Sequence, residues 1–422
     1  MNPRRIVNRP RYLAEALRFR DTDLIKVIVG VRRSGKSTLL ELVRREIESE
    51  GETGRSFASL NLESKKCPVA TEDELYGYFR DRLSPGGRTY IFIDEPQRVE
   101  GWQNAVNAMR VDFDCDIYLT GSNAYLLSSE LSTYLSGRYV EVEMLPLSLG
   151  EYLGFCGLEF APGSSVAIAP DGSPVLFDDV LARYLRFGGM PAIASLDTDQ
   201  ATHSSYMRSV YEAIAVRDIV NRERRRDESR VTDPVLLRRI AEFLADNVGN
   251  LSSAASIANT LTSAGAKTTN KTVSSYLAAL CDSFMFYRAS RYDLHGKELL
   301  KTNPKHYVVD LGFRSYLSGY RASDAGRVFE NAVYLQLRYE GYAVHVGKLY
   351  SSEVDFVAVR DDERVYIQVA DNLASEATRE RELKPLLAIR DAHPKMVVVR
   401  EGSYDRDIDG VRIATARDFF AE

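Results

Sequence analysis

Residues 24–40 read LIKVIVGVRRSGKSTLL. The apolar run from Ile25 to Val29 predicts a buried strand. It breaks at Gly30, passes through Val31, Arg32, Arg33 and Ser34, and restarts as a helix at Gly35-Lys36-Ser37-Thr38. The pattern G-x-x-x-x-G-K-[ST], strand before and helix after, is that of a phosphate-binding loop. Two glycines let the backbone curl so that its N–H groups point inward, and the helix start adds its positive dipole end. Gly30, Arg33, Ser34, Gly35, Lys36, Ser37 and Thr38 are therefore candidate nucleotide-binding residues. Lys36 can reach the β- and γ-phosphates, and the Ser37 hydroxyl can ligate Mg²⁺. A chance glycine turn would not need both flanking elements. The loop alone leaves ATP and GTP open.

Downstream motifs decide whether such a loop only binds. Thr89 to Glu95, TYIFIDE, is an apolar strand ending in two acids. Asp94 at its tip can hold Mg²⁺ through water, and Glu95 can orient and deprotonate an attacking water. A second buried strand, DIYLT from Asp116 to Thr120, runs into Gly121-Ser122-Asn123. A polar residue there can sense the γ-phosphate, and Ser122 and Asn123 are both candidates. Either also suits a helix N-cap. Arg138 precedes the alternating strand Val140 to Met144 and is read as either a surface arginine or a catalytic one. Strands alternating with helices predict an α/β fold with a parallel sheet and nucleotide at the strand tips. The N-terminal helix, Tyr12 to Phe19, is read as packing over the base, touching a neighbour or nucleic acid, or lying solvated.

With 422 residues, the chain is expected to divide into about three domains. Formal net charge is −5, so overall charge does not point to nucleic acid. The four cysteines and five histidines are scattered without metal-ligand spacing, which fits a reducing cytoplasm and argues against zinc. The start MNPRRIVNRPR lacks the apolar segment of a secretory signal, and no apolar run approaches membrane-span length. A cytoplasmic protein without membrane contact is the expectation.

Further along, Ala161 to Pro174 is rich in Gly, Pro and Ser and reads as an excursion loop or hairpin. A helix from Asp178 to Phe187 stops at Gly188-Gly189-Met190-Pro191, and Asn221 to Arg226, NRERRR, reads as a solvated charge run. Residues 234–310 predict helix, short helix, turn, helix and β-hairpin, the rhythm of a winged helix-turn-helix. Its third helix would present Lys267, Asn270, Lys271, Ser274 and Ser275, and its wing Lys297 and Lys301. Between Asn250 and Lys305 there are seven Lys/Arg against three acids, a local excess that suits DNA. Winged helices also serve as lid or protein-docking modules. From Arg327 onward the order is a helix containing Glu330, a strand, a strand with Asp355, and a strand with Gln368 and Ala370.

Several of these stretches resemble known families. The C-terminal order resembles that of PD-(D/E)xK nucleases, which hold Mg²⁺ with two acids and use a lysine. Glu330 and Asp355 stand in such positions here, but Gln368 and Ala370 replace the second acid and the lysine. An inactive nuclease-like, restriction-endonuclease-type α/β domain is expected. GVRRSGKST (30–38), YIFIDE (90–95), LTGSN (119–123), LSGRYVEVEMLPLSLGEYL (135–153) and GGMP (188–191), with EVDFVAV and YIQVA, together resemble a group of bacterial and archaeal AAA+-like ATPases. These join a P-loop core to a winged-helix region and a degenerate nuclease-like domain, and are relatives of STAND and origin-recognition ATPases. The resemblance implies ATP as nucleotide with Mg²⁺, Arg138 as a finger acting on the next subunit, Pro191 against adenine, a homo-oligomer, hexamer-like ring, and DNA as partner. It also implies a core over 1–155, a helical lid over 156–233, a winged helix over 234–320 and the nuclease-like domain over 321–422. A slow nucleotide-controlled switch or scaffold is the alternative, and an active nuclease is disfavoured by Gln368 and Ala370.

Overall fold

The computed structural model describes residues 7–51, 54–84, 86–122, 135–161, 163–196, 198–220, 231–350 and 352–420. The chain forms two compact units, one up to Leu145 together with Asp282–Phe284, the other from Pro146 onward.

The first unit is built on five strands, β1 (Ile25–Val29), β2 (Ser56–Asn61), β3 (Thr89–Asp94), β4 (Cys115–Gly121) and β5 (Tyr139–Glu143). They lie in the order β2-β3-β4-β1-β5, and every pairing is parallel. The three inner strands are buried along their whole length, which is why they read as continuous apolar runs rather than alternating ones. Three helices, α2 (Lys36–Ser49), α3 (Glu72–Arg80) and α4 (Trp102–Asp112), make the crossovers, preceded by α1 (Pro10–Leu17). The register aligns Asn61 with Asp94 and Val29 with Gly121, so the tips of β1 to β4 come level at one end.

One charged pair sits inside this sheet. Lys26 on β1 and Asp116 on β4 form a fully buried ion pair. Lys26 also donates to the Leu24 carbonyl at 2.9 Å and stands over the Tyr118 ring. Asp116 further accepts from the Asp21 backbone N–H at 2.9 Å. Burial disfavours charge on both partners, lowering Lys26 and raising Asp116, and each only partly relieves the other.

The second unit opens with the helix Leu149–Cys156 and a short antiparallel meander, β6 (Glu159–Phe160), β7 (Val166–Ile168) and β8 (Pro174–Leu176). Helices follow at Phe177–Phe187, Pro191–Ala194 and Gln200–Glu212. The turn at Gly188-Gly189 is bound to Asp310, whose carboxylate accepts from the Gly189 N–H at 2.6 Å and the Gly312 N–H at 2.9 Å. A Cβ on Gly188 would lie 2.2 Å from that carboxylate, and one on Gly189 2.3 Å from the Leu147 carbonyl oxygen. The glycines are thus required by close packing. Pro191 takes the first helical position, where its missing N–H costs nothing.

Next come the helices Pro234–Asp246, Ala254–Ser263 and Asn270–Asp282 and a long hairpin, β9 (Phe286–Asp293) and β10 (Glu298–Val308). An isolated bridge joins Leu251 to Lys305. The hairpin is not the border of a separate domain. β9 pairs in parallel with β11 (Ala343–Leu349), which continues through β12 (Ser352–Arg360), β13 (Glu363–Ala370), β14 (Lys395–Val399), β16 (Val411–Thr415) and β15 (Asp407–Ile408) into one eight-stranded sheet. The boundary expected near residue 320 therefore cuts through a single sheet. Hydrophobic periodicity does not reveal this, because the parallel partner of β9 lies beyond two further helices, Leu311–Ser318 and Ala325–Tyr339.

Two histidines in this unit are buried neutral. Burial pushes His203 and His306 down to about 4. Depressed histidines contribute stability that is present above the unfolded pKa of about 6.5 and lost as pH falls towards the folded value. A fall in Tm between pH 6.5 and 4 is expected. It should be shallower in His306→Asn, which keeps a polar atom for the Ser252 hydroxyl, 3.0 Å from Nδ1 in the native chain. An equally steep fall in that variant would rule out His306 as a source.

Candidate functional site: a nucleotide-binding loop and its acids

Gly30 ends β1 with φ 141, and a Cβ there would lie 2.2 Å from the Met144 carbonyl oxygen. Only glycine lets the loop leave the strand this way. Gly35, at φ 106, starts α2. Lys36 is buried and its ammonium lies along the loop, donating to the carbonyls of Gly30 at 2.9 Å and Val31 at 3.0 Å. Ser34 is fully buried, and its hydroxyl is without a hydrogen-bond partner among the described residues. Arg33 is exposed in the left-handed region at φ 70, and Thr38 is exposed on α2.

Ser37 donates to Asp94 across the strand tips at 3.0 Å. Asp94 also accepts from Asn61 at 2.8 Å and from the Thr120 hydroxyl. A serine hydroxyl and a carboxylate fixed together are hard oxygen donors of the kind that suits Mg²⁺. Glu95 leaves β3 in the left-handed conformation, φ 59 and ψ 53, which turns it out of the strand line. Its N–H donates to Thr120 Oγ1 at 3.1 Å. Its carboxylate accepts from Gln97 and, at 3.4 Å, from Ser122. Burial raises its pKa, partly opposed by Lys36, and this makes it a better proton acceptor than an exposed glutamate.

The structure thus brings Gly30, Ser34, Gly35, Lys36, Ser37, Asp94, Glu95 and Ser122 to one place. Asn123 lies outside the described residues. Arg138 is elsewhere: its carbonyl accepts from the Ile25 N–H at 2.9 Å, at the end of β1 opposite the loop, and its side chain reaches Asn107 at 3.2 Å. Sequence reasoning missed Thr120, Asn61 and Arg9. Thr120 and Asn61 close their strands as polar residues level with Asp94. Arg9, in the N-terminal Arg-rich stretch, is buried, lies over the Tyr12 ring and donates to the carbonyls of Ser34 at 3.2 Å and Leu145 at 2.9 Å.

In the second unit, Lys267, Asn270, Lys271 and Ser274 are exposed, the last three on the helix Asn270–Asp282. Ser275 is half-buried and binds back to the Lys271 carbonyl. Lys297 is exposed at the hairpin tip, and the Lys301 side chain lies outside the described residues. Pro191 belongs to this unit as well.

Glu330, Asp355 and Gln368 do meet, and they meet an unforeseen lysine. Lys305, from β10, is 97 % buried, and its ammonium is 3.1 Å from Glu330, 2.8 Å from Glu353 and 3.9 Å from Asp355. Burial opposes its charge, but the three carboxylates outweigh it and raise its pKa. Burial, then the Glu330 carboxylate, pushes Asp355 up to about 8. Gln368 accepts from the Asp355 N–H at 3.3 Å and donates to Glu382 at 3.1 Å. Among the described residues no group of three or more His, Cys, Asp or Glu is placed to hold a metal ion. Lys305 therefore has to be removed from the basic surface counted for DNA.

Comparison with known proteins places these sites in context. Residues 22–153 match the AAA domain family, and residues 178–324 match a domain of unknown function (DUF8612). An uncharacterized protein of Haemophilus influenzae is 38% identical over 419 residues, covering 99% of both chains. The chain belongs to the same family as that protein, and its residues 22–153 carry the AAA domain. An uncharacterized protein of Methanocaldococcus jannaschii, MJ1544, is 29% identical, over 85% of this chain and 77% of its own. Among solved structures, the Aeropyrum pernix ORC1 protein in complex with DNA matches with a TM-score of 0.30 and 16% identity, over 73% of this chain and 89% of its own. Among the described residues no helix is long and apolar enough to cross a membrane.

Proposed function

We propose that this chain is an Mg²⁺-dependent ATPase of the AAA+ type that assembles as a homo-oligomer and acts on DNA through a winged helix. The observation that carries the ATPase reading is the bonded set Ser37–Asp94–Thr120–Glu95, standing beside Lys36 at the strand tips. Lys36 binds the β- and γ-phosphates, with the buried Ser34 hydroxyl and the loop N–H groups around them. Ser37 and Asp94 hold Mg²⁺, which supplies charge neutralisation on the phosphate oxygens. Glu95 accepts the proton of the attacking water, and Ser122 keeps its carboxylate aimed. Pro191 is the proposed adenine contact. Arg138 lies at the far end of β1, which rises about 17 Å over its five residues. A neighbouring copy's nucleotide is thus its proposed target, in a ring with six copies as the expected number.

The DNA reading is supported by the order of helices, the Leu251 bridge and the hairpin, which is that of a winged helix. Lys267 and Lys271 would contact phosphates. Lys267→Ala and Lys271→Ala are expected to weaken duplex binding for all sequences and to reduce the salt slope by about 1 each. Titration of a labelled duplex at several salt concentrations checks this. An unchanged slope in both variants removes the helix from the interface.

A second reading is favoured by one feature. The hairpin is bound along one edge by β11, which suits a nucleotide-controlled scaffold whose winged helix docks protein. Steady-state ATP hydrolysis with and without duplex, single-stranded and branched DNA separates the two. Stimulation supports the DNA-acting ATPase, and turnover indifferent to all three supports the scaffold.

A further inference from the structure

The loop contains a cation that the roles above leave unused. Arg32 lies between Gly30 and Gly35, with its side chain only 13% exposed. Its guanidinium donates to Glu63 at 2.8 Å. The same carboxylate oxygen accepts from Arg98 at 2.6 Å, and Arg98 ends the short 3-10 helix that follows Glu95. Glu63 is itself tied to the acids. Its N–H donates at 2.8 Å to the Asn61 side chain, whose amide donates at 2.8 Å to Asp94. A hydrogen-bonded path therefore runs from the proposed Mg²⁺ carboxylate through Asn61 and Glu63 to two guanidiniums.

We infer that Arg32 and Arg98, clasped by Glu63, are the cations that meet the terminal phosphate of ATP within the same chain. This rests on the ATPase reading and adds the residues that stabilise its charge. Glu63 holds the two guanidiniums side by side, and the planar guanidinium suits phosphate oxygens. Burial pulls the Glu63 carboxyl up, but its bonds to Arg98 and Arg32 outweigh this and hold it below the usual value. It stays ionised to orient both arginines. In the hydrolytic step the water oxygen bonds to the γ-phosphorus and its proton passes to Glu95. The bond from that phosphorus to the β,γ-bridging oxygen breaks, and its electron pair leaves on ADP. Charge spreads over the γ-oxygens and the bridging oxygen, where Arg32 and Arg98 are placed to offset it. Arg138, at the other end of β1, cannot serve its own loop in this way. Glu63 acts through the arginines and is a positioning residue.

The test uses the full chain with Mg²⁺, a fluorescent N-methylanthraniloyl derivative of ATP and the matching one of ADP, and steady-state turnover. Arg32→Ala is expected to lower kcat about 100-fold. It should weaken ATP-analogue binding roughly tenfold while leaving the ADP analogue within about threefold, because only the terminal phosphate loses its partner. Glu63→Gln should lower kcat about tenfold and add little to Arg32→Ala, since it acts through the same guanidinium. If Arg32→Ala does not fold, Arg32→Lys decides: at least a tenfold loss of kcat supports the assignment, because a point charge lacks the fork geometry. Wild-type kcat in the arginine variant, or equal loss of both analogues, overturns it. Should the native chain bind the ATP analogue without turning ATP over, the hydrolytic reading fails. The ATP-over-ADP preference of the native chain against Arg32→Ala then still tests the arginine assignment.

Discussion

Glu95→Gln is expected to remove ATP turnover, by about 10²- to 10⁴-fold, with nucleotide still bound. The amide is nearly isosteric and can accept from Gln97 and Ser122, so the pocket keeps its shape. What it cannot do is take a proton. The native carboxyl is suited to that step because burial raises it, while its backbone N–H is pinned by Thr120 at the tip of β4. In the proposed reading phosphate binding rests on other residues, Lys36 and the loop, which the substitution does not touch. The measurements are ATP turnover and equilibrium binding of a fluorescent ATP analogue in the same preparation. Turnover within threefold of the native chain would take Glu95 out of the chemistry. Loss of binding in parallel with turnover would mean that it shapes the site rather than serving as base.

Lys26→Met is expected to cost about 3–5 kcal/mol in the stability of the first unit. The change removes no apolar contact and leaves Asp116 without its ion-pair partner inside the sheet, with the Asp21 N–H, the Tyr118 hydroxyl and the more distant Arg88 charge still acting on it. The pair itself has small net worth, because both charges had to leave water. Lys26→Met with Asp116→Val should therefore recover part of the loss, though not all, since the Asp21 N–H then lacks its acceptor. Denaturant unfolding of the three proteins gives the comparison. If the single variant unfolds at the native midpoint, the buried pair contributes nothing, and the argument from burial fails.

Local chemistry was legible in the sequence and chemistry assembled across strands was not. Gly30 to Thr38 could be read because one loop carries all its parts, and Asp94-Glu95 because an apolar strand ends there. Thr120 and Asn61 became visible only when register set them level with Asp94. Lys26 was hidden inside an apparently apolar run, since its partner stands ninety positions away on β4. Lys305 was counted among surface cations because sequence gives no sign that β10 turns it onto Glu330 and Glu353. The packing of Gly188 against Asp310 and of Gly189 against Leu147 was likewise invisible, because the sequence shows only a helix that stops. The hairpin's place in the eight-stranded sheet depends on a parallel pairing across two intervening helices, which no periodicity encodes.

The position of β1 between β4 and β5 has a consequence for how the chain is made. Neither ladder partner precedes it; they begin at Cys115 and Tyr139. During synthesis at about 5–20 residues per second, the strand that leads into Gly30 waits roughly 5 to 20 s for its first neighbour and longer for its second. The nucleotide loop thus leaves the ribosome well before the strands that flank it and is among the last parts of its unit to acquire a defined shape, and its apolar strand stays exposed to chaperones and to other nascent chains throughout that interval.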